Sequence, residues 1–322
     1  MTTKQETDTR LLMRPLNWLE TQSEEVFAYI LLFPAFLLLA VIAFFPLIRT
    51  FQFSLLSDQT AAASPFGDFV GFDNYAALLA GDALLPQQFL DPSFGTPVLQ
   101  QALFVTLAFA ILSVLFETLI GFGQALVLDQ EFRGRRWVRV AVLIPWAVPI
   151  AIQGMIFWLF FQPDIGFATQ LLQDLGLFGR NPLTRTIDSM VIIIVADVWK
   201  TSAFMALLIL AGLQSVDRSL YNVARVAGAS TWQRFKFITF PLVLPALLVA
   251  MLFRTIQSMR VYGIIETTAG CNTVPSLTCL VVSTFRAGRY GTAAAVAFIT
   301  AGLVALVAMV YIVKFADLEV GR

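Results

Sequence analysis

Apolar side chains gather along this chain into six long runs, at about 27–56, 99–128, 138–161, 187–214, 239–262 and 290–315, separated by polar stretches with proline and glycine. Each run reaches the roughly 20 residues that a helix rising 1.5 Å per residue needs to cross a ~30 Å hydrocarbon core. The pattern predicts an all-α membrane protein with six transmembrane helices, made of an N-terminal segment 1–26 and a spanning domain 27–322. Pro34, Pro46, Pro145 and Pro149 interrupt the runs, and neighbouring helices can repair such breaks in lipid.

Composition points the same way, with 58% hydrophobic residues, 13% charged residues and 30 Phe among 322 positions. The first run is far longer than the h-region of a signal peptide and follows a segment of mixed charge. It therefore predicts an uncleaved anchor, although the AAAS at 61–64 resembles a cleavage site. The segment before it, LLMRPLNWLE with Trp18, can lie flat on the inner leaflet or simply extend the helix.

Net charge is zero, so only the distribution of charge is informative. The loop at 57–98 carries Asp58, Asp68, Asp73, Asp82 and Asp91 without one Lys or Arg. The next loop packs in Arg133, Arg135, Arg136 and Arg139, and the fourth holds Arg218, Arg225, Arg234 and Lys236. Thirteen basic residues fall on one side and four on the other. The positive-inside rule then makes 57–98 external and both termini cytoplasmic in a multi-pass cell-membrane protein.

Histidine is absent and the cysteines are Cys271 and Cys279, which excludes HExxH, zinc-finger, haem-histidine and Cys-His arrangements. No GxxxxGK[ST] phosphate loop occurs, so no metal, cofactor or catalytic residue is expected in the chain. The two cysteines lie on the predicted outer side, where they form either a disulfide or two buried thiols.

The fourth loop, 215–240, reads as two short helices. Asp217 or Ser219 can cap the first, Gly228 supplies a turn, and Ser230 or Thr231 can cap the second, which carries Trp232, Phe235 and Ile238 on one side and enters the membrane at Pro241. A cytoplasmic helix is thus joined to a membrane span.

Asn222-Val223-Ala224-x-x-Ala227-Gly228-Ala229, followed by Phe235, Ile238, Pro241 and Pro245, resembles the EAA loop of ABC-importer permeases. Asn222 replaces the Glu of that pattern and Ala227 an Asp common before the glycine. VLIPWAVPIAIQGMIFWLFF, ADVWKTSAFMALLILAGL and FDNYAAL at 72–78 are similar to segments of the sugar-type branch, with its maltose, trehalose and glycerol-phosphate permeases. The resemblance implies a type I permease fold whose loop at 217–238 is a coupling helix, contacting an ATPase through Asn222, Ala224, Arg225, Ala227, Gly228, Ala229 and Ser230. It also implies a second permease, two cytoplasmic ATPase subunits that bind the ATP and Mg, an extracytoplasmic solute-binding protein, and a mono- or oligosaccharide substrate.

Charged residues within the spans are costly unless paired or hydrated. Asp197 and Lys200 are spaced to pair on one helix face, with Trp199 beside them. Asp197 and Lys200 are expected either to line a sugar pathway with Trp199 or to staple the bundle or sit near the outer third of the helix, and Glu117 stands on similar grounds; Gln257 is placed to reach a polar lumen and Tyr262 to stack on a sugar ring. Of Arg254 and Arg260, six residues apart, at least one is expected to be structural. The segment ETTAGCNTVP stands where the family has a glycine-rich turn. The rival class is an ion-coupled secondary transporter acting alone through its intramembrane carboxylates.

Overall fold

The computed structural model describes residues 23–59, 66–81, 98–163 and 165–320, so the segment around Trp18 and the AAAS stretch lie outside the described residues. The described residues fall into two units, one ending at Phe53 and the other starting at Ser54.

The first unit holds all but the last residue of the span α1, Glu24–Ser54, which opens into a π turn at Ala40–Phe44. Pro46 follows two residues later. A proline ring clashes with the carbonyl four residues back, here Ile42, and the wider turn relieves that clash.

The second unit begins with a small antiparallel hairpin of β1 (Leu56–Asp58) and β2 (Phe66–Phe69), then the short helix α2 (Asp73–Ala80). FDNYAAL holds this region together. The Asn74 amide donates to the carbonyls of Ser54 and Leu56, each at 2.8 Å, and the Tyr75 hydroxyl lies 2.6 Å from Ser54 Oγ.

Two long helices form the centre: α3 (Val98–Asp129) and α7 (Thr186–Gln214). They touch closely because Gly121 has no side chain. A Cβ there would stand 2.6 Å from Met205 Cβ and 2.9 Å from the Ser202 carbonyl oxygen.

The run at 138–161 is not one helix, contrary to its expected single span. It is split into α4 (Arg135–Ala147) and α5 (Ile150–Phe160), bent by 92°. Val148 is extended at ψ 127, as the residue before Pro149 must be, and the helix cannot continue through it. The buried Gln153 amide of α5 then donates to the Ala196 carbonyl of α7.

After α6 (Phe167–Asp174) and α7 come α8 (Arg218–Val226) and α9 (Thr231–Ser258). The short α10 (Gly263–Thr268), α11 (Leu277–Arg286) and the last span α12 (Tyr290–Val320) complete the chain. In all, the described residues hold five helices long and apolar enough to cross a membrane, six with the bent pair.

The core is divided. One apolar cluster joins Phe109, Ile193, Ile265, Leu277 and Val296 at the hairpin end, and another joins Leu128, Met205, Ile209, Val243 and Leu247 at the end that carries α8. Between them, on α3, α7 and α9, lies a buried polar layer of Glu117, Asp197, Thr201, Arg254 and Ser258.

Candidate functional site

The connection from α7 through α8 to α9 is built from local signals. Asp217 is the N-cap of α8 and accepts from the Ser219 backbone N–H at 2.8 Å. That bond holds the Asp217 carboxyl below its ordinary pKa. At the other end, Gly228 N–H donates to Arg225 and Ala229 N–H to Ala224, the paired bonds of a Schellman turn. Gly228 adopts φ +81, the left-handed conformation such a turn requires.

One residue later the chain re-enters a helix. Ser230 Oγ accepts from Gln233 N–H while Gln233 Oε1 accepts from Ser230 N–H, a complete capping box. The helix that starts there runs on as α9, through a π turn at Phe235–Thr239. Pro241 again follows two residues later and would meet the Phe237 carbonyl in an undistorted helix. Trp232 stacks on Phe235, which meets Phe122 of α3 edge-on.

The elbow is therefore a rigid joint leading directly into a membrane span. Its outward side is apolar. Leu220, Val223 and Val226, at i, i+3 and i+6, are 42%, 68% and 91% exposed.

The second arrangement is the buried layer. Arg254 of α9 donates to both oxygens of Glu117 on α3, Nε–Oε2 at 2.6 Å and Nη2–Oε1 at 2.7 Å, and to Asp197 Oδ2 on α7 at 3.0 Å. Thr201 Oγ1 lies 2.7 Å from Glu117 Oε1, and Arg254 Nη1 donates to Gln257 Oε1 at 2.8 Å. One guanidinium thus fastens three helices.

This corrects the expected Asp197–Lys200 pair. The carboxylate of Asp197 faces Arg254 on the neighbouring helix, and Lys200 has no ion pair among the described residues. Glu117 is fully buried beneath Arg254. Of the polar residues in the spans, Asp197 retains 12% side-chain exposure, while Gln257 is exposed and Lys200 half-buried. Arg260 is exposed beyond the end of α9, so the structural arginine is Arg254.

Trp199 does not stand beside this group. Two positions on a helix are about 200° apart, and the indole packs against Phe157 over an apolar cavity of about 810 Å³ lined with Phe116, Pro145 and Val195. Tyr262 belongs to a different cleft of about 770 Å³, where Arg286 donates to its hydroxyl and to Glu266, each at 3.1 Å. Cys271 and Cys279 are bonded to each other along that cleft, and Glu266 Oε2 accepts from the Cys271 N–H.

Residues 117–317 match the binding-protein-dependent transport system inner membrane component family. The chain belongs to that family. It is 35% identical over 302 residues to the trehalose/maltose transport system permease protein MalF of Thermococcus litoralis, covering 93% of this chain and 95% of that one. It is 32% identical to the trehalose transport system permease protein SugA of Mycobacterium tuberculosis, covering 91% of this chain and 90% of that one.

Among solved structures, a chain of a bacterial ABC transporter involved in the import of the acidic polysaccharide alginate has the same fold. Its TM-score is 0.74 at 22% identity, covering 91% of this chain and 96% of that one. Membership in the inner membrane component family makes the chain a multi-pass transport subunit and sets aside the reading as a lone ion-coupled transporter.

Proposed function

We propose that this chain forms half of the translocation pathway of an ATP-driven importer for a mono- or oligosaccharide. The observation that carries this is the joint at Gly228, which connects a solvent-facing helix with an exposed apolar stripe to a membrane span in a permease related to trehalose and maltose systems. A second permease subunit supplies the other half. Two cytoplasmic ATPase subunits bind ATP and Mg, and a solute-binding protein delivers substrate from outside. Both termini and α8 are cytoplasmic in this reading, as the basic loops require.

The chain has no chemistry of its own to perform. When the ATPases close, α8 and the residues to Ser230 are displaced, and because the turn is capped on both sides the push passes into α9. Arg254 then carries it to α3 and α7 through Glu117 and Asp197.

Along the pathway, Asp197 has the right chemistry for a sugar hydroxyl. Its Oδ2 is held by Arg254, while Oδ1 makes no hydrogen bond to a described residue and stays acceptor-ready. Lys200 and Gln257 flank the same edge. Glu117 supports this arrangement from below, and Trp199 and Tyr262 stand apart from it.

Co-expression with the cognate second permease and ATPases tests the reading. A complex should form whose ATP hydrolysis rises when loaded binding protein is added, and uptake by the isolated chain would refute it. In that system D197N should change the half-saturating sugar concentration; unaltered kinetics would return Asp197 to a purely structural role.

A further inference from the structure

Beside α8 lies a cleft of about 460 Å³ whose lining includes Asp129, Arg218, Asn222, Arg225 and Arg234. Three guanidinium groups share a single carboxylate. Arg218 takes it, with Nη2 2.6 Å from Asp129 Oδ1. Arg225 is left with the neutral Asn222 Oδ1 at 2.7 Å, and Arg234 with the Thr231 hydroxyl at 3.1 Å. The Nε of Arg234 is buried and has no partner among the described residues.

A buried, unsatisfied N–H on a cation is costly, and a carboxylate is the group that satisfies it best. At 100° per residue, Arg225 and Asn222 lie on a different face of α8 from Leu220, Val223 and Val226. A partner that seats α8 must therefore offer two chemistries: an apolar floor for the exposed stripe and a negative rim at the arginine cleft.

We propose that the ATPase subunit that docks on α8 presents a groove with an acidic rim, and that an Asp or Glu side chain of that rim enters the cleft to pair with Arg225 and Arg234. This rests on the coupling-helix reading above and adds the sign of the charge that selects the partner. A permease whose cleft is positive rejects an ATPase whose rim is basic, because like charges meet across a desolvated contact.

The test uses the assembled importer, both permeases with the ATPase subunits in lipid nanodiscs, and measures ATPase dissociation against salt. R225E should weaken assembly by roughly tenfold or more, and N222E should also weaken it by placing a carboxylate beside the rim. Wild-type affinity should fall as salt rises. Replacing the facing acid of the ATPase by Arg should restore binding to R225E.

V226D separates the two readings. If V226D abolishes assembly while R225E and N222E bind as wild type, or if N222E binds more tightly, the acidic rim is wrong and the coupling helix stands. If V226D also binds normally, α8 is not the docking helix and both fail. Arg225 and Asn222 are exposed, so their variants should still insert and fold, and unchanged yield of the membrane-embedded permease checks this.

Discussion

Arg254 and Glu117, 137 positions apart in the chain, meet in the middle of the bundle through two charge-assisted hydrogen bonds of 2.6 and 2.7 Å. The pair sits in the layer that separates the two apolar clusters, where the Glu117 side chain is fully buried and that of Arg254 is 5% exposed. Such a pair contributes little over an apolar replacement, but breaking it strands a buried charge.

Replacing Arg254 alone should therefore be far worse than replacing both partners. R254Q leaves Glu117 and Asp197 facing each other without a cation, and the expected loss is about 3–5 kcal/mol. Thermal unfolding of the purified permease in detergent would show a sharply lowered midpoint for R254Q. In E117Q/R254Q the midpoint should recover part of the way, since the two losses are not additive. Additive losses would mean that the two side chains are not coupled.

Gly228 offers a test in which packing plays no part. A Cβ there meets nothing within 4 Å, so any cost of substitution comes from the backbone at φ +81. An L-residue in that conformation costs about 1–2 kcal/mol, and a β-branched residue suffers most. G228V should insert normally yet lose the coupling of ATP hydrolysis to uptake, while G228N should retain most of it. Normal uptake by G228V would show that the turn does not transmit the motion.

Different parts of this molecule were legible to different degrees in the sequence. The spans were, because run length alone decides whether a helix can cross lipid, and the caps at Asp217 and Ser230 were, because a cap is a contact over two or three residues. The break between α4 and α5 was written in Val148-Pro149, but run length outvoted it. The Arg254 cluster was not legible, since its members lie on three separate helices. The nearer option, Asp197 with Lys200 at i, i+3, satisfied the local rule and lost to a guanidinium that only the tertiary packing brings in. Trp199 was misplaced for a simpler reason: neighbours in sequence on a helix point to different faces.

The N-cap at Asp217 predicts a pH dependence. Its folded pKa is lowered from the ordinary value of 3.8 by the bond from Ser219 N–H. A lowered carboxyl contributes stability that is present above the unfolded value and is lost as pH falls through the folded one. Protection of the amides at the start of α8, taken as the observed exchange rate against the intrinsic rate at the same pH, should thus be highest near neutrality and fall in acid below the ordinary carboxyl range. D217N, which can cap without ionising, should flatten that dependence, and D217A should show low protection at every pH.

The disulfide should act as a local clamp on the cleft of Tyr262, Glu266 and Arg286. It joins residues eight apart, tying the turn after α10 to the first turn of α11. A loop this short gains roughly 2–3 kcal/mol from closure, and both cysteines are buried, Cys279 completely and Cys271 to all but 8%. Mild reductant should therefore leave the folded protein oxidised, and reduction should require unfolding. In C271S/C279S the bundle should stay assembled, because the Arg254 layer and the apolar cluster of Leu128, Met205 and Val243 lie on other helix contacts and the cluster that holds both cysteines keeps Phe109, Ile193, Ile265, Leu277 and Val296, but amides between Gly270 and Ser276 should lose protection. Unchanged protection there, measured by hydrogen exchange on the purified variant, would mean that the Cys271 N–H bond to Glu266 and the Ser276 cap already hold the turn without the covalent link.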